Sequence, residues 1–411
     1  MITVEVAQER ILSQISSLGI EIVDLAHASG RVLAQALHSK VALPQFDNSS
    51  MDGFAVRCED VSRANPDNPV ELTVIGDAPA GQVFAGNVEA LRAVRIMTGA
   101  PVPSGADAIV PVEDTDFHDR APGTPAPLKV RVYHSANLHQ NIRSRGQDLQ
   151  EGELVLEPGK QLRSQEVGFL ASLGIASVSV YRQPRVALFS TGDELISIGT
   201  PPSAGKIYES NSHMLASLVE KYQGEAIFLG IIPDQEIAVR ECLLRAVQSK
   251  ADLIISSAGV SVGALDFVRS VMEKDGRLEF WRVNMRPGKP IAYGEYHGIP
   301  FVGLPGNPVS AFVGAEIFVR PLLLKMGGRT SWNKPYRIVK LLDAIESDGR
   351  ESYLRAFIRN EDGVWVASLT GHQGSGNLRS LVQANALLLV PSGVKSLPIG
   401  SDTKAYLLDD E

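Results

Sequence analysis

Two basic strings rich in Pro and Gly carry the clearest chemical signal in this chain: Arg286-Pro287-Gly288-Lys289-Pro290 and Leu304-Pro305-Gly306-Asn307-Pro308. Arg presents a planar fork of donors, Lys a compact charge, and Gly lets the backbone come close, so such loops suit a bound oxyanion. Upstream, Ser257-Ala258-Gly259-Val260-Ser261-Val262-Gly263 can offer amide N–H groups to a phosphate ahead of a helix. It matches neither the P-loop nor the GxGxxG pattern. Its plainer reading is a strand-to-helix turn. Asp193, Glu194, Asp234 and Asp266 supply the hard oxygen ligands that Mg²⁺ takes in phosphate-handling sites. The plainer readings are a helix cap for Asp266 and an Asx-turn for Asp193. Arg282 is either a further cation of the site or a solvated surface charge. No GxSxG, P-loop or Ser-His-Asp order is present, so covalent nucleophilic catalysis leaves no signature.

Alternating strands and helices must position these loops. Arg185–Ser190, Glu225–Gly230, Asp252–Ser257 and Phe301–Leu304 read as strands. Helices are predicted from Asn211, as cap, to Tyr222, and over 235–249, 266–274 and 309–324. That order implies a mostly parallel sheet covered on both faces, with ligands at the carboxyl ends of its strands. Every chemical motif above follows a strand. Before this unit, 44–148 alternates short apolar runs with Gly, Pro and Asp and reads as β-rich. Residues 151–179 return to helix and turn and are expected to pack against the N-terminal segment, which would make the β-rich part an insertion. From Trp332 onward five short strands suit a small barrel or sandwich. The fold class is therefore α/β and β multidomain: a central α/β unit, an inserted β-rich domain and a C-terminal small β-barrel.

A chain of 411 residues exceeds one ordinary core. Its formal net charge of −8 argues against wrapping nucleic acid and leaves any anion to a local basic site. The two cysteines, Cys58 and Cys242, have no metal-ligand spacing and suit a reduced, cytoplasmic protein. No signal peptide or membrane span is predicted. Three polar turns resist assignment from spacing alone: Asp47 to Ala55, Thr98 to Pro103 and Asn141 to Asp148.

Strung together, these motifs resemble the molybdopterin molybdenumtransferase family, whose animal members include the E domain of gephyrin. The strings are SSMDGFAV at Ser49 to Val56, RIMTGAPVP at Arg95 to Pro103, NIRSRGQDL at Asn141 to Leu149 and STGDEL at Ser190 to Leu195. They continue with SSAGVSVG at Ser256 to Gly263, RPGKP at Arg286 to Pro290 and LPGNPVSA at Leu304 to Ala311. The resemblance spans nearly the whole chain in order. It implies an enzyme that cleaves AMP from adenylylated molybdopterin and leaves molybdenum, taken from molybdate, on the pterin dithiolene, with Mg²⁺ as cofactor.

It also implies an elongated homodimer of four subdomains. These are a linking and dimerisation part (1–43 and 149–182), the β-rich insert (44–148), the α/β domain (183–328) and the barrel (329–411). The active cleft lies between the α/β unit of one subunit and the β-rich unit of the other. Asp52, Thr98, Asp148, Glu194, Asp234 and Asp266 match the family's functional positions, with Glu194, Asp234 and Asp266 as metal ligands. Ser257, Gly259, Ser261, Gly263, Arg282, Arg286, Lys289, Pro305, Pro308 and Ser310 line the substrate or molybdate site, joined by Arg355 and Ser375. Other cofactor-biosynthesis proteins are the implied partners, with no nucleic acid and no membrane. A tungstate-inserting paralogue and a gephyrin-like scaffold are the alternatives. Two departures stand out. Ala258 replaces the first Gly of the family's SGGVSVG, at a cost of about 1 kcal/mol if the position needs positive φ. Arg286 replaces the first Lys of KPGKP and changes donor geometry.

Overall fold

The computed structural model describes residues 1–118, 123–259, 267–280 and 282–409. The chain forms two compact units: residues 1–35, 158–167 and 176–411, and residues 36–157 and 168–175.

In the first unit, β1 (Arg185–Thr191), β2 (Glu225–Ile232), β3 (Leu253–Ser257), β4 (Arg277–Phe280), β5 (Ala292–Tyr296) and β6 (Ile299–Leu304) build one sheet in the order β2-β1-β3-β6-β5-β4. The pairs β1–β2, β1–β3 and β3–β6 are parallel, and β5 joins β6 and β4 antiparallel. The sheet is thus mostly parallel, as the alternating pattern predicts. The antiparallel edge is additional: Arg277-Leu278-Glu279-Phe280 is short and charged, and signals a strand weakly.

Continuous apolar strands such as Val-Ala-Leu-Phe arise because both faces are covered. Alternate residues serve different cores. Val186, Leu188, Leu253 and Ile255 pack with Leu215 and Val219 of helix α1 (Asn211–Lys221) and with Val4, Ala7 and Ile11 of the N-terminal helix Val4–Ser13. Ala187, Phe189 and Ile254 pack with Val239, Leu243 and Ala246 of helix α2 (Glu236–Gln248) and with Val268, Val271 and Met272 of helix α3 (Phe267–Asp275). Each buried Val, Leu, Ile, Phe or Met among them contributes about 1.5–3 kcal/mol. The helix predicted over 309–324 is present as helix α4 (Pro308–Gly314), a π-helical stretch Ala315–Val319 and helix α5 (Arg320–Met326).

Strand Ile20–Asp24 pairs antiparallel with Ser177–Tyr181, closing the first unit around the point where the chain leaves for the β-rich insert. The C-terminal strands β7 (Tyr336–Leu341), β8 (Glu351–Glu361), β9 (Val364–Leu369), β10 (Ala386–Val390) and β11 (Asp402–Leu407) close into a ring, β8-β9-β7-β11-β10, through the β8–β10 pairing. The short strand Met285–Arg286 adds to β8 in parallel, fastening the first basic loop to the barrel.

In the second unit a sheet runs in the order Ala108–Pro111, Gly53–Val56, Arg92–Ile96, Val70–Ala78, Lys129–Val132. Gly53 to Val56 reads in sequence as part of a turn and is instead an inner strand. A Cβ on Gly53 would lie 2.1 Å from the Val110 carbonyl oxygen, so Gly is required by close backbone approach. Among the described residues no helix is long and apolar enough to cross a membrane. Gly53→Ala is expected to destabilise the second unit by roughly 1–3 kcal/mol, as overpacking does, seen as a lower denaturant midpoint. An unchanged midpoint would disprove the close approach.

Candidate active site at the carboxyl rim of the sheet

The parallel register places Ser190 beside Ser257 and Ser257 beside Leu304, so the loops after β1, β3 and β6 leave one rim together. They bound a cleft of about 590 Å³. Glu194, Ser257, Gly259, Pro305 and Pro308 line it, as do Ala258, Gly306, Pro290 and Gly376. Of the sequence-derived residues, Asp266, Ser261 and Gly263 lie outside the described residues.

Ala258 has φ 71° and Gly259 φ 72°. The position that departs from the family string therefore sits in the left-handed region, where a side chain costs about 1 kcal/mol. The buried core of β3 outweighs that cost. The Ala258 amide donates to the Leu304 carbonyl at 3.0 Å, which ties the loop to β6. A Cβ on Gly306 would meet the Ala258 methyl at 3.2 Å, so the two loops are in close contact.

An acidic corner adjoins the cleft. The Asp193 amide donates to Asp234 Oδ2 at 3.4 Å, and the Asp234 amide donates to Asp193 Oδ1 at 3.3 Å. Desolvation pushes the Asp234 carboxyl above its ordinary range, and the neighbouring Asp193 and Glu194 charges add to this. Glu194 is exposed. Among the described residues no three His, Cys, Asp or Glu side chains form a ready-made metal cluster.

The cationic side is built differently. Arg282, Arg286 and Lys289 are exposed, and Ser310 is buried on α4. Arg286 Nη1 lies 4.0 Å from Asp348 Oδ2. Asp348 is brought down to about 2, chiefly by its hydrogen bond from Arg350. Arg355 on β8 is fully buried. Its Nε donates to Ser380 Oγ at 3.1 Å, and its Nη2 donates to the carbonyls of Gly374 at 3.0 Å and His372 at 3.3 Å. Nη1 has no partner, and no carboxylate pairs with this guanidinium among the described residues. Desolvation, then the charge of Arg286, lowers its pKa to about 10. The Arg355-bound loop carries Ser375, whose carbonyl accepts from the Val309 amide of α4 at 3.1 Å, and its Gly376 lines the cleft.

Two cleft residues escaped the sequence reading. Asn211 is not the cap of α1; Ser210 holds that position, and Glu209 Oε1 accepts from the Ser212 amide at 2.8 Å and from Ser190 Oγ at 2.8 Å. Asn211 Nδ2 instead donates to Ser257 Oγ and to the Gly306 carbonyl, both at 2.7 Å. The polar string Glu209-Ser210-Asn211-Ser212 ahead of an apolar helix was the available signal, but a helix start explains it equally well.

In the second unit the three unassigned turns meet. Asn48 to Ser49 pairs with Ile142 to Arg143, and Asn48 bridges Pro101. Asp52 Oδ1 accepts from the Thr98 amide at 2.7 Å and from Thr98 Oγ1 at 2.8 Å. Asp148 pairs with Arg143, and all three of Asp52, Thr98 and Asp148 are exposed.

Comparison with known proteins agrees along the chain. Residues 2–174 match the MoeA N-terminal region (domain I and II), 187–325 a probable molybdopterin binding domain, and 339–408 the MoeA C-terminal region (domain IV). The chain is 38% identical over 394 residues to a molybdopterin molybdenumtransferase of Haemophilus influenzae, covering 95% of this chain and 94% of that protein. It is 39% identical over 391 residues to molybdopterin molybdenumtransferase 2 of Mycobacterium tuberculosis, covering 93% and 94%. A crystal structure of a molybdopterin biosynthesis moeA protein from Pyrococcus horikoshii OT3 superposes with a TM-score of 0.82 at 33% identity, covering 99% of this chain and all of that one.

Ala258→Gly is expected to stabilise the protein by about 1 kcal/mol, read from its denaturant midpoint. Gly306→Ala is expected to destabilise it, and by less in the Ala258→Gly background. Additivity of the two changes would show that the loops do not touch.

Proposed function

Because the chain belongs to the molybdopterin molybdenumtransferase family, we propose that it inserts molybdenum from molybdate into adenylylated molybdopterin with release of AMP. The single observation that carries this reading is the cleft at the strand ends, lined by Pro290 of the first basic loop and by Gly376 of the loop bound to a buried Arg355, which no carboxylate neutralises among the described residues. A buried guanidinium held only by neutral groups, with one Nη left over, favours an anionic partner. Arg286, Lys289, Arg355 and Ser375 receive molybdate, with Ser310 and Arg282 beside them. Ser257, Gly259, Ser261, Gly263, Pro305 and Pro308 receive the pterin nucleotide.

Mg²⁺ fits the acidic corner by the chemistry of its donors: carboxylate oxygens, one of them already disfavoured as an anion, gain from a hard cation. Glu194 and Asp234 would hold it, together with Asp266, and it would polarise the phosphoanhydride. The chain's own groups bind and orient. The cations offset the crowded negative charge of nucleotide and oxyanion. We further propose a cytoplasmic homodimer that supplies Asp52, Thr98 and Asp148 of one subunit to the substrate bound by the other. The four-subdomain division belongs to the same proposal. Both rest on the family resemblance, supported by the Asp52–Thr98 hydrogen bonds and by the pairing of the Asn48 to Ser49 turn with Ile142 to Arg143, whose Arg143 pairs with Asp148.

The decisive experiment supplies purified protein with adenylylated molybdopterin, Mg²⁺ and molybdate, and measures AMP. Molybdate-dependent release is expected, and its absence rejects the assignment. Tungstate competes at the same site if size and charge alone select the oxyanion. Arg355→Lys keeps the charge but loses the fork, and is expected to weaken molybdate binding at least tenfold, about 1.4 kcal/mol. Equal affinity would remove Arg355 from the oxyanion site.

Asp234 has a raised folded pKa, so its ionised form is disfavoured in the native state. That penalty is present above the folded pKa and is relieved as pH falls through it. Asp234→Asn is therefore expected to leave the metal-free protein as stable or more so at pH 7. It is expected to remove much of the rise in melting temperature that Mg²⁺ produces. In the native protein that rise shrinks as pH falls toward the Asp234 pKa, because proton and cation compete. A pH-independent Mg²⁺ effect, unchanged in Asp234→Asn, places the ion elsewhere.

A further inference from the structure

We propose that Asn211 is a positioning residue that sets the hydrogen-bond direction of Ser257 and holds the two glycine-containing loops of the cleft in register. The inference rests on the assignment of this cleft to the pterin nucleotide. It concerns a residue that no motif carries to the site.

A carboxamide nitrogen has two hydrogens and no acceptor capacity. Both hydrogens of Asn211 are committed, one to Ser257 Oγ and one to the Gly306 carbonyl, each at 2.7 Å. Two acceptors around one nitrogen also fix which way the amide faces. A hydroxyl that accepts from an N–H keeps its own hydrogen for another acceptor. No acceptor for the Ser257 hydrogen is found among the described residues, although Ser257 lines the cleft. Asn211 therefore leaves the Ser257 O–H to donate to an oxygen in the cleft. A phosphate or other oxyanion is the group that such a donor serves.

The second bond acts on geometry. Ser257 ends β3, Gly306 follows β6, and the intervening contact between Ala258 and the Gly306 position is tight. Asn211 reaches both from the first turn of α1, so one side chain spans the seam between two loops that bear on the ligand. Its neighbour Glu209 is occupied with Ser190 and the Ser212 amide, which fixes the start of α1 from below. Asn211 is itself buried, at 8% exposure, and its Oδ1 has no partner among the described residues. An unpaired buried oxygen is a standing cost of this placement. The two bonds from Nδ2 offset it.

The test uses AMP as probe, titrated by calorimetry into the full-length protein with Mg²⁺ present, at a temperature where each variant is folded. Asn211→Asp is nearly isosteric but reverses the polarity: its carboxylate draws the Ser257 hydrogen toward itself and faces the Gly306 carbonyl without a donor. The expected result is at least a tenfold weaker affinity for AMP, with Asn211→Ala and Ser257→Ala weakened similarly. Asn211→Ala combined with Ser257→Ala is expected to weaken binding by clearly less than the product of the two single effects, because one of the two roles of Asn211 passes through Ser257. Native-like AMP affinity in Asn211→Asp, or effects that multiply to a hundredfold in the double variant, would overturn the proposal and leave the functional assignment standing. Failure of the native protein to bind AMP at all would overturn both. Should Asn211→Ala not fold, Asn211→Asp alone and in the Ser257→Ala background carries the same comparison.

Discussion

The parallel pairing of β1 with β3 and of β3 with β6 is the constraint on which the rest of the structure depends. Parallel neighbours cannot be joined by a tight turn, so each link crosses a face of the sheet and returns to the same starting edge. All the carboxyl ends then finish on one rim. Loops as far apart in sequence as Thr191 to Glu194 and Pro305 to Pro308 become neighbours there. The cores on the two faces fix this arrangement, through alternate residues of each strand that belong to different clusters. Against that burial, the left-handed backbone at Ala258 is a small local cost.

Charge is arranged on this frame against the protein's own average. The chain is acidic, with a formal net charge of −8, yet its first unit presents separate regions of opposite sign around the strand ends. Desolvation, and then the charges of Asp193 and Glu194, disfavour ionisation of Asp234, whereas Arg355 is buried with neutral groups and lies under the influence of Arg286. Each region is electrostatically incomplete alone. A multiply anionic ligand accompanied by a divalent cation would relieve both, which fits the chemistry of the family to which the chain belongs. The barrel is joined to the first basic loop, because β8, which carries Arg355, is paired with Met285 to Arg286.

The comparisons and the geometry contribute different things. The family relationship names a reaction class. The geometry identifies residues no string match supplies, such as Asn211, which crosses between two loops, and Glu209, which holds the start of α1. In the second unit it also gathers three polar turns separated by up to a hundred residues. There Asp52 receives both the amide and the hydroxyl of Thr98.

Much of the α/β unit was legible because its strands are apolar on both faces and its helices alternate with them, so periodicity and order alone imply a parallel sheet. The basic loops were legible because Arg, Lys, Gly and Pro rarely gather in an acidic chain without reason. Gly53 to Val56 was not, since a glycine needed for close approach looks the same in sequence as one needed for a turn. Asn211 was misread as a cap because Asn before an apolar helix serves either purpose, and only the position of β3 and β6 decides where its two hydrogens go. Residue type and local period thus determined the strands, helices and chemical inventory. Tertiary structure alone decided that Arg355 has no carboxylate partner among the described residues and which loops share a rim, because both depend on partners brought close by chain crossings that no local pattern encodes.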